Sequence, residues 1–195
     1  MKIGIDIDDV VVEYMKSYLE FHNKKKGTNY ILEDFFSYSV MKVTGLPREE
    51  IKSLIFEFGK TEEMDNLAFL PGAKESIISL ENNNKIFFIT SRPISSKKQT
   101  NSFFDKNFSK NNFEVHFSGE KWGILKTKGE ICLDLGIGFM VEDNEDYALE
   151  CAEKGIKTFL IDRPWNKNSP EHKNLKKVGG WGELINLIGE EIYAN

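Results

Sequence analysis

Asp6-Ile7-Asp8-Asp9 follows an apolar run near the start of the chain, and Thr90-Ser91-Arg92 follows a second such run. Lys126 and Lys128 stand at the entry to a helical stretch, and Glu142-Asp143 closes another apolar run. Acids crowded at one rim repel each other unless a cation sits among them, and hard carboxylate oxygens select Mg²⁺. A carboxylate attacking a phosphate dianion needs its charge neutralised by metal and lysine. Covalent catalysis then divides hydrolysis into two steps through an aspartyl phosphate. A second carboxyl, Asp8, can protonate the leaving oxygen and afterwards deprotonate water. Each residue also has a plainer use. A lone acid after a strand caps the next helix, the role expected for Asp9, and Thr90 alone could do the same. Lysines among other lysines are solvated surface charges. Asp-x-Asp alone says little; acid pair, hydroxyl, lysine and acid pair at successive strand ends together point to phosphate chemistry.

These residues need elements to bring them together. Five apolar runs read as strands: Lys2–Ile7, Lys85–Thr90, Phe113–Phe117, Gly138–Glu142 and Lys157–Ile161. They are near-continuous in apolar residues, as where helices cover both faces of a parallel sheet. Helical stretches lie between most of them: Ala73–Glu81, Ile94–Phe108, one from Thr127 or Lys128 to Gly136, and Asp146–Lys154 ahead of Gly155. The expected fold is therefore α/β, a doubly wound parallel sheet of about five strands. In such sheets ligands bind beyond the carboxyl ends of the strands, where the residues above would converge.

One interval breaks the alternation. About 75 residues separate the first two strands, several times a normal crossover. Val11, Met15, Tyr18, Leu19 and His22 recur there at helical spacing, an apolar segment covers Ile31–Val43, and Pro47-Arg48-Glu49-Glu50 opens a helix running to about Phe58. The expected division is an α/β core of residues 1–10 and 71–195, with a small helical cap at 11–70 inserted after the first strand.

Composition sets the remaining bounds. With 195 residues, 40% hydrophobic and 29% charged, the chain can bury a proper interior. A net charge of -5 argues against a polymeric nucleic acid as partner but not against a small phosphorylated substrate. Cys132 and Cys151 lack metal-ligand spacing and read as buried reduced thiols. No leader-like or membrane-spanning run is visible, so a cytoplasmic protein without a membrane partner is expected. A homodimer is left open.

The stretches "IGIDIDDVV", "IFFITSR", a lysine entering a helix and "GFMVEDN" resemble the four motifs of the haloacid dehalogenase (HAD) superfamily of phosphatases, over essentially the whole chain. The resemblance implies Asp6 as nucleophile and Asp8 as general acid/base, with the Asp8 backbone carbonyl also on Mg²⁺. It implies phosphate binding by Thr90 and Ser91, charge stabilisation by Lys128 (Lys126 being the alternative), and Asp143 as metal ligand beside Glu142. Within the superfamily, Asp6–Tyr14 is similar to the Asp-x-Asp-Gly-Val-Leu-Ala-Asp-Phe stretch of the pyrimidine-type 5'(3')-deoxyribonucleotidases, and "FLPGAKE" at Phe69–Glu75 also resembles that family. That implies a nucleoside monophosphate substrate, with Tyr14 in the place of an aromatic used against the base. Arg92 and Glu142 are further candidates for substrate contact. Asp9 stands for the family's glycine, Glu142 for the first aspartate of a pair, and Asn144 for an arginine.

Other readings compete. A sugar-phosphate phosphatase or phosphomutase would use the same core. A receiver-like signalling module would need its phosphoacceptor after the third strand, which ends His116-Phe117-Ser118 without an aspartate. A silent binding protein would leave costly buried charges unused.

Overall fold

The computed structural model describes residues 1–108, 113–121 and 124–193. Strand β1 (Lys2–Ile5) is followed by helices α1 (Tyr14–Lys26), α2 (Val40–Thr44), α3 (Arg48–Phe58), α4 (Glu62–Asp65) and α5 (Ala73–Glu81) before β2 (Lys85–Thr90). Helix α6 (Lys97–Asn107) leads to β3 (Phe113–Phe117), and a hairpin of β4 (Gly119–Lys121) and β5 (Ile124–Lys126) comes next. Then come α7 (Lys128–Leu135), β6 (Phe139–Glu142), α8 (Glu145–Glu153), β7 (Lys157–Ile161), β8 (Leu175–Val178) and α9 (Trp181–Tyr193).

The main sheet is parallel in every pairing, in the order β3-β2-β1-β6-β7-β8. Its central strands bury both faces, which is why they read as unbroken apolar runs. Ile3, Ile5, Phe88, Val141 and Phe159 face one layer of helices. Phe87, Ile89 and Met140 face the other, against Ile131 and Cys132 of α7 and Cys151 of α8. Both cysteines are free and buried. Gly4 lies beside Met140 on that second face, where a Cβ would come within 2.8 Å of the Met140 sulfur. A side chain at this position would push that thioether aside.

The doubly wound parallel sheet is as expected, with six strands where the sequence reads as about five. The extra one, β8, is partly exposed and carries two lysines between its apolar ends (Leu-Lys-Lys-Val), as suits a strand at the sheet edge. The interval between β1 and β2 holds α1 to α5, and its second apolar segment forms only a 3₁₀ turn at Leu32–Asp34 and the short α2. Phe58 packs edge-on against Tyr14 and Tyr18 of α1 and against Phe21. The cluster of buried residues that contains Ile3 and Val141 also contains Tyr18, Phe35, Leu54 and Phe58. Each of these large side chains contributes roughly 1.5–3 kcal/mol by leaving water. Among the described residues no helix is long and apolar enough to cross a membrane.

The strand order reverses at β1: β2 lies on one side and β6 on the other. The crevice between the carboxyl ends of β1 and β6 is the place where such sheets take ligands.

Candidate active site

Asp6 sits one residue past β1, its amide still bonded to the Val141 carbonyl at 2.9 Å. Across the crevice, β6 ends at Glu142, followed by Asp143. Carboxylate oxygens of Asp6, Glu142 and Asp143 all lie within 4.8 Å of one another, and all three residues are buried. Lys128 opens α7, whose start is fixed by Thr127 as N-cap with Glu130 in reciprocal bonding. Its Nζ lies 2.6 Å from Asp6 Oδ1 and 2.5 Å from Glu142 Oε1. The other Glu142 oxygen accepts from the amides of Asp143 and Asn144, at 3.0 and 3.1 Å. Glu142 is thus fully enclosed, with both oxygens occupied. Lys126, by contrast, is exposed and pairs with Asp134.

Three carboxylates against one ammonium leave a formal surplus of two negative charges in a buried site. Burial and this crowding together favour the protonated form of the acids. Burial, followed by the charges of Glu142 and Asp8, pushes Asp6 up to about 8 despite the opposing pull of Lys128. Burial and the fields of Glu142 and Asp6 hold Asp143 well above the usual carboxylate range. Burial works against the Lys128 ammonium, but Asp6 and Glu142 outweigh it and raise its pKa. All-oxygen donors with a twofold negative surplus suit a hard divalent cation.

The second half of the site forms around Asp8. Arg92 reaches it from the loop after β2: Nε lies 2.9 and 3.1 Å from the two carboxylate oxygens, and Nη2 lies 2.5 Å from Oδ1. The same guanidinium donates to Thr100 Oγ1 at 3.2 Å. Thr90, buried at the end of β2, accepts the Arg92 amide on its hydroxyl at 3.1 Å. That leaves the hydroxyl proton of Thr90 available to a ligand. Ser91 is exposed and shares a hydrogen bond of 3.1 Å with Ser118. Ser118, bonded to the Thr90 carbonyl, had given no signal in the sequence. Asp9 takes a left-handed backbone, φ 58°, a conformation open to Asp and Asn among residues with a side chain. That explains why glycine occupies the corresponding place in the family pattern. Its carboxylate caps α1 by accepting the Met15 amide at 3.0 and 3.1 Å.

Aromatics lie close to these acids. Tyr14 at the start of α1 stacks parallel to Tyr18 at 6.5 Å. Burial and the neighbouring Asp8 raise its hydroxyl pKa. Tyr38, 46% exposed overall, sets its ring edge-on to Trp165 at 6.3 Å. Burial and then the charges of Asp143 and Asp6 raise its hydroxyl pKa, which puts that oxygen within the field of the acids. Neither Tyr38 nor Trp165 had been separable in the sequence from ordinary packing aromatics.

Known proteins resemble this chain in sequence and in fold. A nucleotidase of Clostridium acetobutylicum is 26% identical over 190 residues, spanning 96% of this chain and 93% of the relative. A haloacid dehalogenase-like protein of Agrobacterium tumefaciens has the same fold, with a TM-score of 0.67 over 98% of both chains at 12% identity. So does a HAD-type hydrolase of Bacillus subtilis solved bound to magnesium, with a TM-score of 0.61 over 96% of this chain and 97% of the other at 12% identity. The family described as "5' nucleotidase, deoxy (Pyrimidine), cytosolic type C protein" matches residues 1–193. The chain belongs to that family, and is a HAD-type enzyme of the nucleotidase and phosphatase class.

Proposed function

We propose that this chain is a Mg²⁺-dependent phosphomonoesterase that hydrolyses (deoxy)nucleoside 5'-monophosphates through an aspartyl phosphate on Asp6. The observation that carries this reading is the buried group of Asp6, Glu142 and Asp143 with its twofold negative surplus, tied to one lysine. The family match and the nucleotidase relative supply the substrate class.

The residues fit a divalent cation held by the carboxylates of Asp6 and Asp143 and by the Asp8 carbonyl. Bound there, Mg²⁺ would supply charge neutralisation and polarise the phosphoryl oxygens. Lys128 and the Thr90 hydroxyl, with Ser91 at the rim, hold the phosphate. An Asp6 oxygen attacks phosphorus, the ester P–O bond breaks, and Asp8 gives its proton to the departing 5'-oxygen. Water then attacks the phosphoryl group on Asp6 and loses a proton to Asp8; inorganic phosphate leaves and Asp6 is restored. Residues 11–70 act as the cap over this site, and Tyr14 packs against the base.

A panel of purine and pyrimidine monophosphates and sugar phosphates, assayed with Mg²⁺ and with excess chelator, tests the reading. Nucleoside monophosphates should be preferred, and chelator should abolish turnover. Preference for sugar phosphates would refute the substrate class, and undiminished turnover in chelator would refute the metal.

A further inference from the structure

The loop Asp162–Asn166 follows β7 and lies outside the four motif stretches, yet its side chains brace two of them. Trp165 Nε1 donates to Asp143 Oδ2 at 3.0 Å and lies 3.2 Å from the Asp143 carbonyl oxygen. Asn166 Nδ2 donates to the same carbonyl at 2.7 Å and to that of Ile161 at 2.8 Å. Its amide oxygen accepts the Arg163 amide at 3.1 Å, which fixes which way the group points. Trp165 is 4% exposed and Asn166 fully buried, so water does not compete for these bonds. Arg163 in turn donates to the Asp9 carbonyl from Nε at 2.9 Å and Nη2 at 2.7 Å. One short loop thereby ties down the segments after β1 and after β6, on both sides of the crevice.

An indole ring has a single polar hydrogen, and here it is shared between the carboxylate and the backbone carbonyl of one buried acid, with the shorter distance to the carboxylate. Packing holds the ring, so the bond holds the carboxylate. A carboxylate already held in one rotamer loses less freedom when it takes a cation. We propose that Trp165, with Asn166, is a positioning residue that orients Asp143 for the divalent cation and thereby sets the affinity of the site. This rests on the reading of Asp143 as a metal ligand given above. Tyr38 touches the same ring, so the loop also joins the metal acid to the helical interval.

Calorimetric titration of the purified chain with Mg²⁺ tests the proposal without an assay of turnover. Trp165→Phe keeps the ring and removes the N–H. Its Mg²⁺ dissociation constant should rise about 10- to 100-fold, the usual cost of losing an outer partner of a metal ligand. Unchanged affinity in the folded variant would overturn the proposal. Absence of Mg²⁺ binding to the wild type would instead remove the metal reading itself, and the proposal with it. Should Trp165→Phe fail to fold, the wild-type protein still decides. Mg²⁺ should shift strongly one of the indole N–H resonances from the three tryptophans. Calorimetric binding with every indole signal unmoved would refute the role of Trp165.

Discussion

Arg92 holds both carboxylate oxygens of Asp8, with donor distances of 2.5 to 3.1 Å, across 84 residues of sequence. A guanidinium matches a carboxylate in this forked manner where an ammonium cannot. In the related family pattern an arginine stands where Asn144 is found here, and Asn144 instead caps α8 by accepting the amides of Asp146 and Tyr147. The cation beside Asp8 comes from the β2 loop.

If Arg92 aims the acid/base, Arg92→Lys should lower kcat on nucleotides by about 100-fold, the scale of a 1 Å misplacement. Turnover of p-nitrophenyl phosphate, whose leaving group needs no proton, should fall much less. A rise in KM with kcat intact would show that Arg92 binds substrate instead.

The surplus of acids makes a prediction about pH. Asp6 has a folded-state pKa of about 8 against 3.8 for the free group, and Asp9, buried likewise, one of about 7. Between those limits the folded protein binds more protons than the unfolded one, so stability falls as pH rises. In chelator, Tm should therefore decline from pH 5 to pH 8. Mg²⁺ should raise Tm more at pH 8 than at pH 5, and Asp6→Asn should flatten the decline. A Tm in chelator that climbs steadily to pH 8 would contradict the charge arrangement.

Lys128 and Lys126 should separate cleanly. Lys128→Met leaves Asp6 and Glu142 facing each other without their shared cation. Breaking such a buried pair costs about 3–5 kcal/mol, and turnover should vanish. Lys126→Met removes an exposed charge and should leave thermal melts and kinetics at wild-type values. Loss of activity in both variants would place Lys126 in the site as well.

Much of this was legible in the sequence because parallel sheets deliver strand ends to one rim. Thr90 and Glu142 end strands, and Asp6 and Asp143 directly follow strands, whose apolar runs are unmistakable, and Gly136 marks the end of α7 by its left-handed turn. What could not be read depends on side-chain direction. Nothing in "TSR" says that Arg92 turns to Asp8, and nothing in "DRPWN" says that an indole reaches Asp143. Strand β8 has no apolar run to mark it, since an edge strand tolerates the paired lysines Lys176 and Lys177, and the strands of the β4–β5 hairpin are only three residues each.

Tyr14 tests the nucleotide reading. Tyr14→Ala should cost on the order of 1–3 kcal/mol in kcat/KM for a nucleotide, the scale of one base–aromatic stack. A small sugar phosphate, having no base, should be affected far less. Equal losses on both would mean that Tyr14 serves only its packing with Tyr18 and Phe58.

The division of labour between Asp6 and Asp8 is open to one direct measurement, acid-quenched mass spectrometry of Asp8→Asn mixed with Mg²⁺ and p-nitrophenyl phosphate. The first step survives with this leaving group, while the second lacks its base, so the aspartyl phosphate should accumulate. About one equivalent of nitrophenol per site should appear in a burst, followed by very slow turnover. The quenched protein should carry a phosphoryl group on the peptide containing Asp6. A variant that loses activity uniformly, with no burst and no adduct on that peptide, would contradict Asp6 as the nucleophile and Asp8 as its acid/base.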